Sequence, residues 1–526
     1  MKKNTLRYLA LFLVAMNITS CNRFLETTPE DIITPVNYYD TEARLNDALV
    51  GVYSILTQAR MYQDGVWNRL GAATDESYSS IGQARVETNI YNSNDNTVRD
   101  FYNNLYQGIE RANLLLENVD KPEITQAKKD VVKGQALFLR GYYYFLLASV
   151  FGDVPLKTAS TKSANDAVIP RAPLKEVYAQ ILKDMTDAET ILPDIAVYGG
   201  HNGKVSKSAA QAILARVCLT MAGEPLKDIS KYQAAKDWAN KVITSGKHSL
   251  NPDYKQIFIN HSQDKYDTKE CLWEVEFWGN QIGNNFSLSS RLGYNTGPVS
   301  SNINFGFATG FIRPTERLFK LYESTDVRRD WNICPFRYKN PANPGFTTAG
   351  IIDPEVRINF TETQIWERFS GKWYREFETI SPKSQIQAPT NFPIIRYSDV
   401  LLMFAEAANE LSGPTGESVN AFNQVRARAK ASLITPNSKE VFRQVIQDER
   451  ARELCYEGLR RPDLIRWGIY LTAMKTFAAD VRQNAPNAFK NVATQGEVLE
   501  EKDRWFRPIP LYEFTVNPKL VQNPGW

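Results

Sequence analysis

Histidine and cysteine are scarce in this chain of 526 residues, with three of the first, at 201, 248 and 261, and five of the second. No histidine stands in a metal-ligand spacing such as HExxH, so the sequence offers no His-based metal site. Cys218, Cys271, Cys334 and Cys455 lie far apart with no CxxC. That excludes a dense disulfide scaffold and makes them small buried apolar groups, with room for one bridge. GxSxG, P-loop and GxGxxG patterns are missing, which removes common hydrolase and nucleotide signatures and calls for no cofactor. After the start of the chain no apolar run approaches 18 residues, so no helix of the body spans a bilayer. Charge imbalance is missing too. Lys and Arg number 62 against 59 Asp and Glu. Residues 1–20 hold Lys2, Lys3 and Arg7 and no acid, so the rest balances at 59 (62 less 3) against 59. That excludes nucleic acid, which needs a basic face, and an anionic surface as main partner.

What is present begins with the exception to these absences. Lys2, Lys3 and Arg7 precede YLALFLVAM (8–16), then small or polar residues, then Cys21. A charged start, a short apolar middle and small residues describe a secretory signal peptide over 1–20. Nine apolar residues are too few to cross a bilayer, which takes ~20. Ile18-Thr19-Ser20-Cys21 resembles the lipobox of bacterial lipoproteins, which implies cleavage before Cys21 and a lipid joined through its thiol. Two or more acyl chains anchor stably. The expectation is a soluble body tethered to a membrane at Cys21.

The body reads mostly α. KGQALFLRGYYYFLLASVFGD (133–153), SKSAAQAILARVCLTMAG (206–223) and SDVLLMFAEAANELSG (398–413) interleave small residues with large apolar ones. Small residues let a neighbouring helix approach. Each stretch ends at glycine, 152, 223 or 413, with proline soon after, and an amphipathic segment follows at 174–192, 232–243 or 418–429. Residues 41–59 and 98–119 suit an earlier pair. The unit is helix, Gly-Pro turn, helix, which predicts tetratricopeptide-like helical-hairpin repeats, about four pairs, against the plainer reading of an irregular bundle.

Between the repeats lies a loop-rich, partly β insertion. Residues 278–311 hold six Gly and six Asn with five Phe or Tyr, which argues against both helix and disorder. LWEVEFW (272–278) alternates as a half-buried strand, with Trp273, Val275 and Phe277 on one face and Glu274 and Glu276 on the other. Residues 337–350 form a second Pro- and Asn-rich loop. The predicted organisation is 21–250 N-terminal helical repeats, 251–395 variable insertion, and 396–526 C-terminal repeats with a closing tail.

These motifs together carry a resemblance. CNRFLETTPED after the leader, LRGYYYFLLASVFGDVPL (139–156), IRYSDVLLMFAEAANEL (395–411), ERARELCYEGLRRPDLIRWG (449–468) and RPIPLYEFTVNPKLVQNPGW (507–526) resemble the SusD/RagB family of outer-membrane nutrient-binding lipoproteins of Bacteroidetes. Phe151 stands where the family usually has Tyr. The resemblance implies tetratricopeptide-like helix pairs with an inserted subdomain. It implies a SusC-like TonB-dependent barrel as partner, lipid anchoring in the outer membrane facing the cell surface, and capture of oligosaccharides without cleavage. Oligopeptides are the alternative ligand within the family. One departure is that Asn22 to Leu25 precede Glu26, where many surface-exported relatives carry acidic residues.

Individual motifs add limits. Glu449, Glu453 and Glu457 recur at i, i+4 and i+8 beside Arg450, Arg452 and Arg460, as charges that pair along a helix. Gly458 would stop that helix, and Pro462 suits the first turn of the next. Glu274 and Glu276 fall ~6.6 Å apart on a strand face, the separation of an inverting glycosidase pair. Neighbours on one face cannot flank a bond, so a solvated strand face is the stronger reading. NSNDNTVRD (92–100) offers oxygens at alternate positions but lacks the Gly and Glu of an EF-hand. Binding must then rest on aromatics, which bury the C–H face of a sugar ring, and on polar groups that meet its hydroxyls. Tyr142, Tyr143 and Phe145 are expected in the core. The predicted ligand-binding set is Trp67, Tyr78, Tyr91, Trp278, Tyr294 and Trp373, with Asp75, Asn89, Asn280, Asn285 and Arg291. The expectation requires three or more of the rings along one exposed cleft.

Overall fold

The computed structural model describes residues 38–283, 288–302, 304–339 and 353–526. The leader, Cys21 and Asn285 lie outside the described residues.

Side-chain caps and backbone breaks set the helix limits. Thr41 caps α1 (Glu42–Tyr53) and Asp95 caps α2 (Asn96–Asn118), its Oδ1 accepting from Thr97 and Val98 N–H at 2.8 and 3.1 Å. The oxygens of NSNDNTVRD thus serve a helix start. α3 (Gln126–Phe151) stops at Gly152, whose φ of +74° is open to glycine at little cost. α4 (Leu174–Ile191), α5 (Lys207–Ala222) and α6 (Lys231–Thr244) follow within two residues of the expected limits. After α7 (Tyr254–Ser262) and the short α8 (Glu316–Leu321), α9 (Tyr397–Ser412) ends at Gly413, φ +76°. α10 (Gly416–Arg428), α11 (Lys439–Leu454), α12 (Arg460–Arg466) and α13 (Tyr470–Asn484) are the remaining α-helices longer than one turn among the described residues.

Successive helices pack on one another. α1 meets α2, α2 meets α3, and so on to α6, which skips the insertion and packs on α9; α9 in turn takes α10 and α11. That continuous stacking is what helical hairpins give. Close approach uses Gly141, one of the small residues read from the sequence, where a Cβ would stand 3.0 Å from Met185 Cγ of α4, and Gly108, which was not, where a Cβ would overlap Tyr143 at 2.5 Å. Arg140 locks α3 to α4 through a two-pronged contact with Asp184, 2.7 Å on each arm. Tyr142, Tyr143 and Phe145 are buried. The four cysteines are buried free thiols.

Short antiparallel strand pairs hold the insertion. β1 (Ser77–Ser79) pairs with β3 (Ile312–Pro314), placing Tyr78 opposite Arg313 and stitching the N-terminal part to the insertion. β2 (Cys271–Val275) pairs with β8 (Phe392–Arg396), β4 (Ile333–Cys334) with β7 (Phe369–Ser370), and β5 (Phe336–Lys339) with β6 (Asp353–Asn359).

Two local expectations are corrected. β2 is buried on both faces, Trp273 against Phe138 and Tyr142 and Glu274 against His261, Asn202 and Asn391, so its alternation did not mark a wet face. α11 ends at Leu454, one turn before Gly458; Tyr456 already has φ +65°. Glu449, Glu453 and Glu457 pair mainly across elements. Glu449 meets Arg328 and Arg426 as well as Arg452; Glu453 meets Arg328, Arg396 and Arg428; Glu457 meets Arg396 and Lys372.

Candidate functional site

A groove of about 510 Å³ opens where three distant parts of the chain converge: residues 78–90, 309–313 and 488–495. Ser80 N–H donates to the Phe311 carbonyl at 2.7 Å, extending the β1–β3 pairing to the rim. Gln495 reaches back to β1, its Nε2 donating to the Ser79 carbonyl at 2.6 Å while its Oε1 accepts from Ser79 N–H at 3.2 Å. Asn89, φ +60°, donates Nδ2 to the Gln495 carbonyl at 2.9 Å. Thr309 is placed by the Tyr294 carbonyl, which accepts its N–H at 2.8 Å and its hydroxyl at 3.0 Å.

The lining is hydroxyl and amide in character, from Ser79, Ser80, Gln83, Thr309, Asn491 and Thr494, with the half-buried rings of Phe311 and Phe489. Arg313 is its one charged residue among those described. That guanidinium is 5% exposed, donates to the Gly310 and Glu367 carbonyls at 2.8 and 3.1 Å, and lies 4.0 Å from the Phe369 ring centroid. Burial lowers its pKa to about 10. Tyr78 forms the floor, its ring between Trp366 and Phe477 at 6.0 and 6.5 Å. Burial pushes its phenol up to about 12, so it stays neutral at any physiological pH.

Phe477 lines a second groove, of about 530 Å³ and opposite character. There Arg460 grips Asp75 at 2.6 and 2.7 Å, Arg317 approaches Asp75 at 3.2 Å and Asp448 at 2.7 Å, and Lys320 pairs with Glu316 at 2.7 Å. Burial raises the Asp75 pKa, but Arg460 more than offsets it, leaving the carboxyl below its usual range.

The sequence-predicted rings do not share a cleft. Trp67 and Trp373 are each 1% exposed and both stack on Phe392 in the core, at 6.5 and 6.0 Å. Tyr78 lies in the floor of the first groove, fully buried; Tyr91 packs on Trp526 at 5.3 Å away from it. Trp278 is 57% exposed but lies outside both grooves. Among the polar set, Asp75 lines the charged groove and Asn89 backs the neutral one. Asn280 is buried against the Pro382 carbonyl at 2.6 Å, and Arg291 faces Asp64 at 3.5 Å. The physical reason is that a flat apolar ring gains most by complete burial, and a loop position in sequence does not fix its depth. Phe489, Gln495 and Gln83 were missed, since single residues remote in sequence carry no local signal; Phe311 stood among the aromatics of 278–311.

The glycosidase pair fails on geometry. Glu274 is buried and accepts from Asn391 Nδ2 at 2.9 Å and Asn202 Nδ2 at 3.4 Å, while Glu276 lies beyond β2 in solvent. His261, Cys271 and Glu274 bring ligand-type atoms within 4.8 Å of one another, a meeting invisible in sequence spacing. His261 Nε2 lies 3.4 Å from Glu274 Oε2, so with the two amides the carboxylate is already engaged.

Comparison with known proteins follows the same lines. The pattern described as SusD family matches residues 269–526, and one described as starch-binding, associating with outer membrane, matches 23–219. A SusD-like protein of Formosa agariphila is 26% identical, with 96% of this chain and 95% of that protein covered. The starch-binding protein SusD of Bacteroides thetaiotaomicron is 23% identical over 81% of this chain and 78% of its own length. Among solved structures, a SusD homolog from Bacteroides thetaiotaomicron superposes with a TM-score of 0.83 at 29% identity, covering 94% of this chain and 98% of that one.

Proposed function

The chain belongs to the SusD/RagB family, and from that premise we propose that it is an outer-membrane lipoprotein that binds oligosaccharides in the neutral groove. In this reading Cys21 carries the lipid, the body faces the cell surface, and a SusC-like TonB-dependent barrel receives the ligand uncleaved. The groove draws on the N-terminal repeats, the 251–395 insertion and the C-terminal part together.

The observation that carries the proposal is the groove's chemistry. Two partly exposed rings stand among hydroxyls and amides, with one buried cation already engaged. A sugar offers apolar C–H faces for Phe311 and Phe489 and hydroxyls for Gln83, Asn491 and Thr494. A neutral polymer needs no counter-charge. Titrating a panel of neutral oligosaccharides against protein lacking residues 1–21 tests this; binding of one class, lost in Phe489→Ala, supports it. Unchanged oligosaccharide after prolonged incubation supports the absence of cleavage.

The charged groove favours a second reading, oligopeptide capture, because Arg317, Lys320 and Asp480 line it with both signs of charge. Silence across the glycan panel with peptide binding abolished by Arg317→Ala selects it.

A further inference from the structure

Two arginines near the end of the chain are buried without a counter-charge. Arg507 is 1% exposed and Arg461 6% exposed, and neither forms an ion pair among the described residues. Their neighbours differ: on the same α12, Arg460 holds Asp75 and Arg466 holds Glu406. Arg507 donates Nη2 to the Leu70 carbonyl at 3.0 Å. Its Nε and Nη1, the Nε of Arg461 and the hydroxyl of Tyr470 are buried with no hydrogen-bond partner. The rings of Tyr91 and Tyr470 lie 5.1 and 4.8 Å from the Arg507 and Arg461 guanidinium carbons. Both arginines line a cavity of about 120 Å³ between the tail, α12 and α3, and the carboxylates of that lining are already taken: Glu224 by Lys227, Glu457 by Arg396 and Lys372, and Asp463 by Arg450 and Arg466.

A guanidinium does not escape burial by losing its proton. Two dry cations lining one cavity therefore call for negative charge. Asp503 is near enough to feel both, but it pairs with neither, and its Oδ2 already accepts from Glu500 N–H at 2.9 Å. The cavity has room for several water-sized bodies. Planar guanidinium forks match the spaced oxygens of an oxyanion.

We infer that Arg461 and Arg507 bind a small tetrahedral oxyanion, sulfate or phosphate, in this cavity, clamping the closing tail to α12. Nothing in this site is shared with the glycan groove, so it stands or falls separately from the proposed function.

The test uses the full mature chain, dialysed into chloride buffer and melted with sulfate or phosphate added at matched ionic strength. The expected result is a saturable rise of several degrees in Tm with one or both anions, and roughly one anion per chain released on denaturation, as read by ion chromatography. Arg507→Met removes the saturable part and leaves the general, non-saturating effect of these salts. Should that variant fail to fold, Asp503→Asn decides: relieved of like charge, the site binds the anion roughly tenfold more tightly. If Asp503→Asn instead loses stability without a stronger anion response, Asp503 is the counter-charge and the inference is overturned. It is equally overturned if the wild-type chain shows no saturable response and releases no anion, the cavity then holding water only.

Discussion

Arg396 Nη1, at the end of β8, stands 2.9 Å from Glu453 Oε1 on α11, and neither side chain has any exposed surface. Arg396 also meets Glu270 at 3.0 Å and Glu457 at 2.8 Å, while Glu453 meets Arg328 at 2.9 Å and Arg428 at 2.6 Å. These contacts join the insertion to the C-terminal helices through charge. Removing one member leaves the others buried and unmatched. Glu453→Ala is expected to cost about 3–5 kcal/mol in urea unfolding. A loss under ~1 kcal/mol would show that solvent reaches the network.

The same charges set the pH response. Against the burial that would raise them, Arg328, Arg452 and Arg426 hold Glu449 down to about 2, and Arg450 and Arg216 hold Asp399 down to about 2. A depressed carboxyl contributes stability that is present above its unfolded value, near 4, and is lost as pH falls toward 2. Glu449 alone accounts for about 3 kcal/mol of that loss. Acid unfolding followed by circular dichroism should therefore centre between pH 4 and 2.

Glu76 works in the opposite sense. Burial raises its pKa to about 7, although Arg460 and the Tyr456 N–H, which donates to Oε1 at 3.1 Å, pull the other way. A raised carboxyl contributes stability that is complete below its unfolded value and lost as pH climbs through 7. Glu76→Gln keeps the acceptor and removes the titration. Its stability relative to the native chain should improve between pH 5 and pH 8; a constant difference would count against the raised value.

Groove and core rings should behave differently on truncation. Phe489→Ala leaves the fold intact and weakens glycan binding roughly tenfold, about 1.4 kcal/mol. Trp373→Ala opens a cavity beside Phe258 and Phe392 and costs about 3–5 kcal/mol of stability. Calorimetric titration beside thermal melting separates the two. If Trp373→Ala melted normally and lost ligand, the core assignment would be wrong.

On the proposed attachment of a lipid through the Cys21 thiol, Cys21→Ala should move the protein from the membrane fraction to the soluble one. Firm retention in washed membranes would remove the lipid-anchor reading.

Helix positions were legible because each rests on local chemistry. The apolar periodicity of 133–153, 206–223 and 398–413 and the stops at Gly152 and Gly413 all act within a few residues, whereas the cap at Asp95 was not read from the sequence. The α11 glutamates were legible as structural, yet their partners at 328, 396 and 426 were not, since pairing across elements leaves no spacing to read.

By itself the amino-acid sequence determined the mostly helical scaffold, the inserted strands and the family, because periodicity, capping and motif order are carried by neighbouring residues. Only the tertiary structure decided which aromatics face solvent. Trp67 and Trp373 vanish into the core while Phe311 and Phe489, 178 positions apart, come to one groove. Exposure is a property of what packs on top of a side chain, and for these rings the covering elements come from distant parts of the chain.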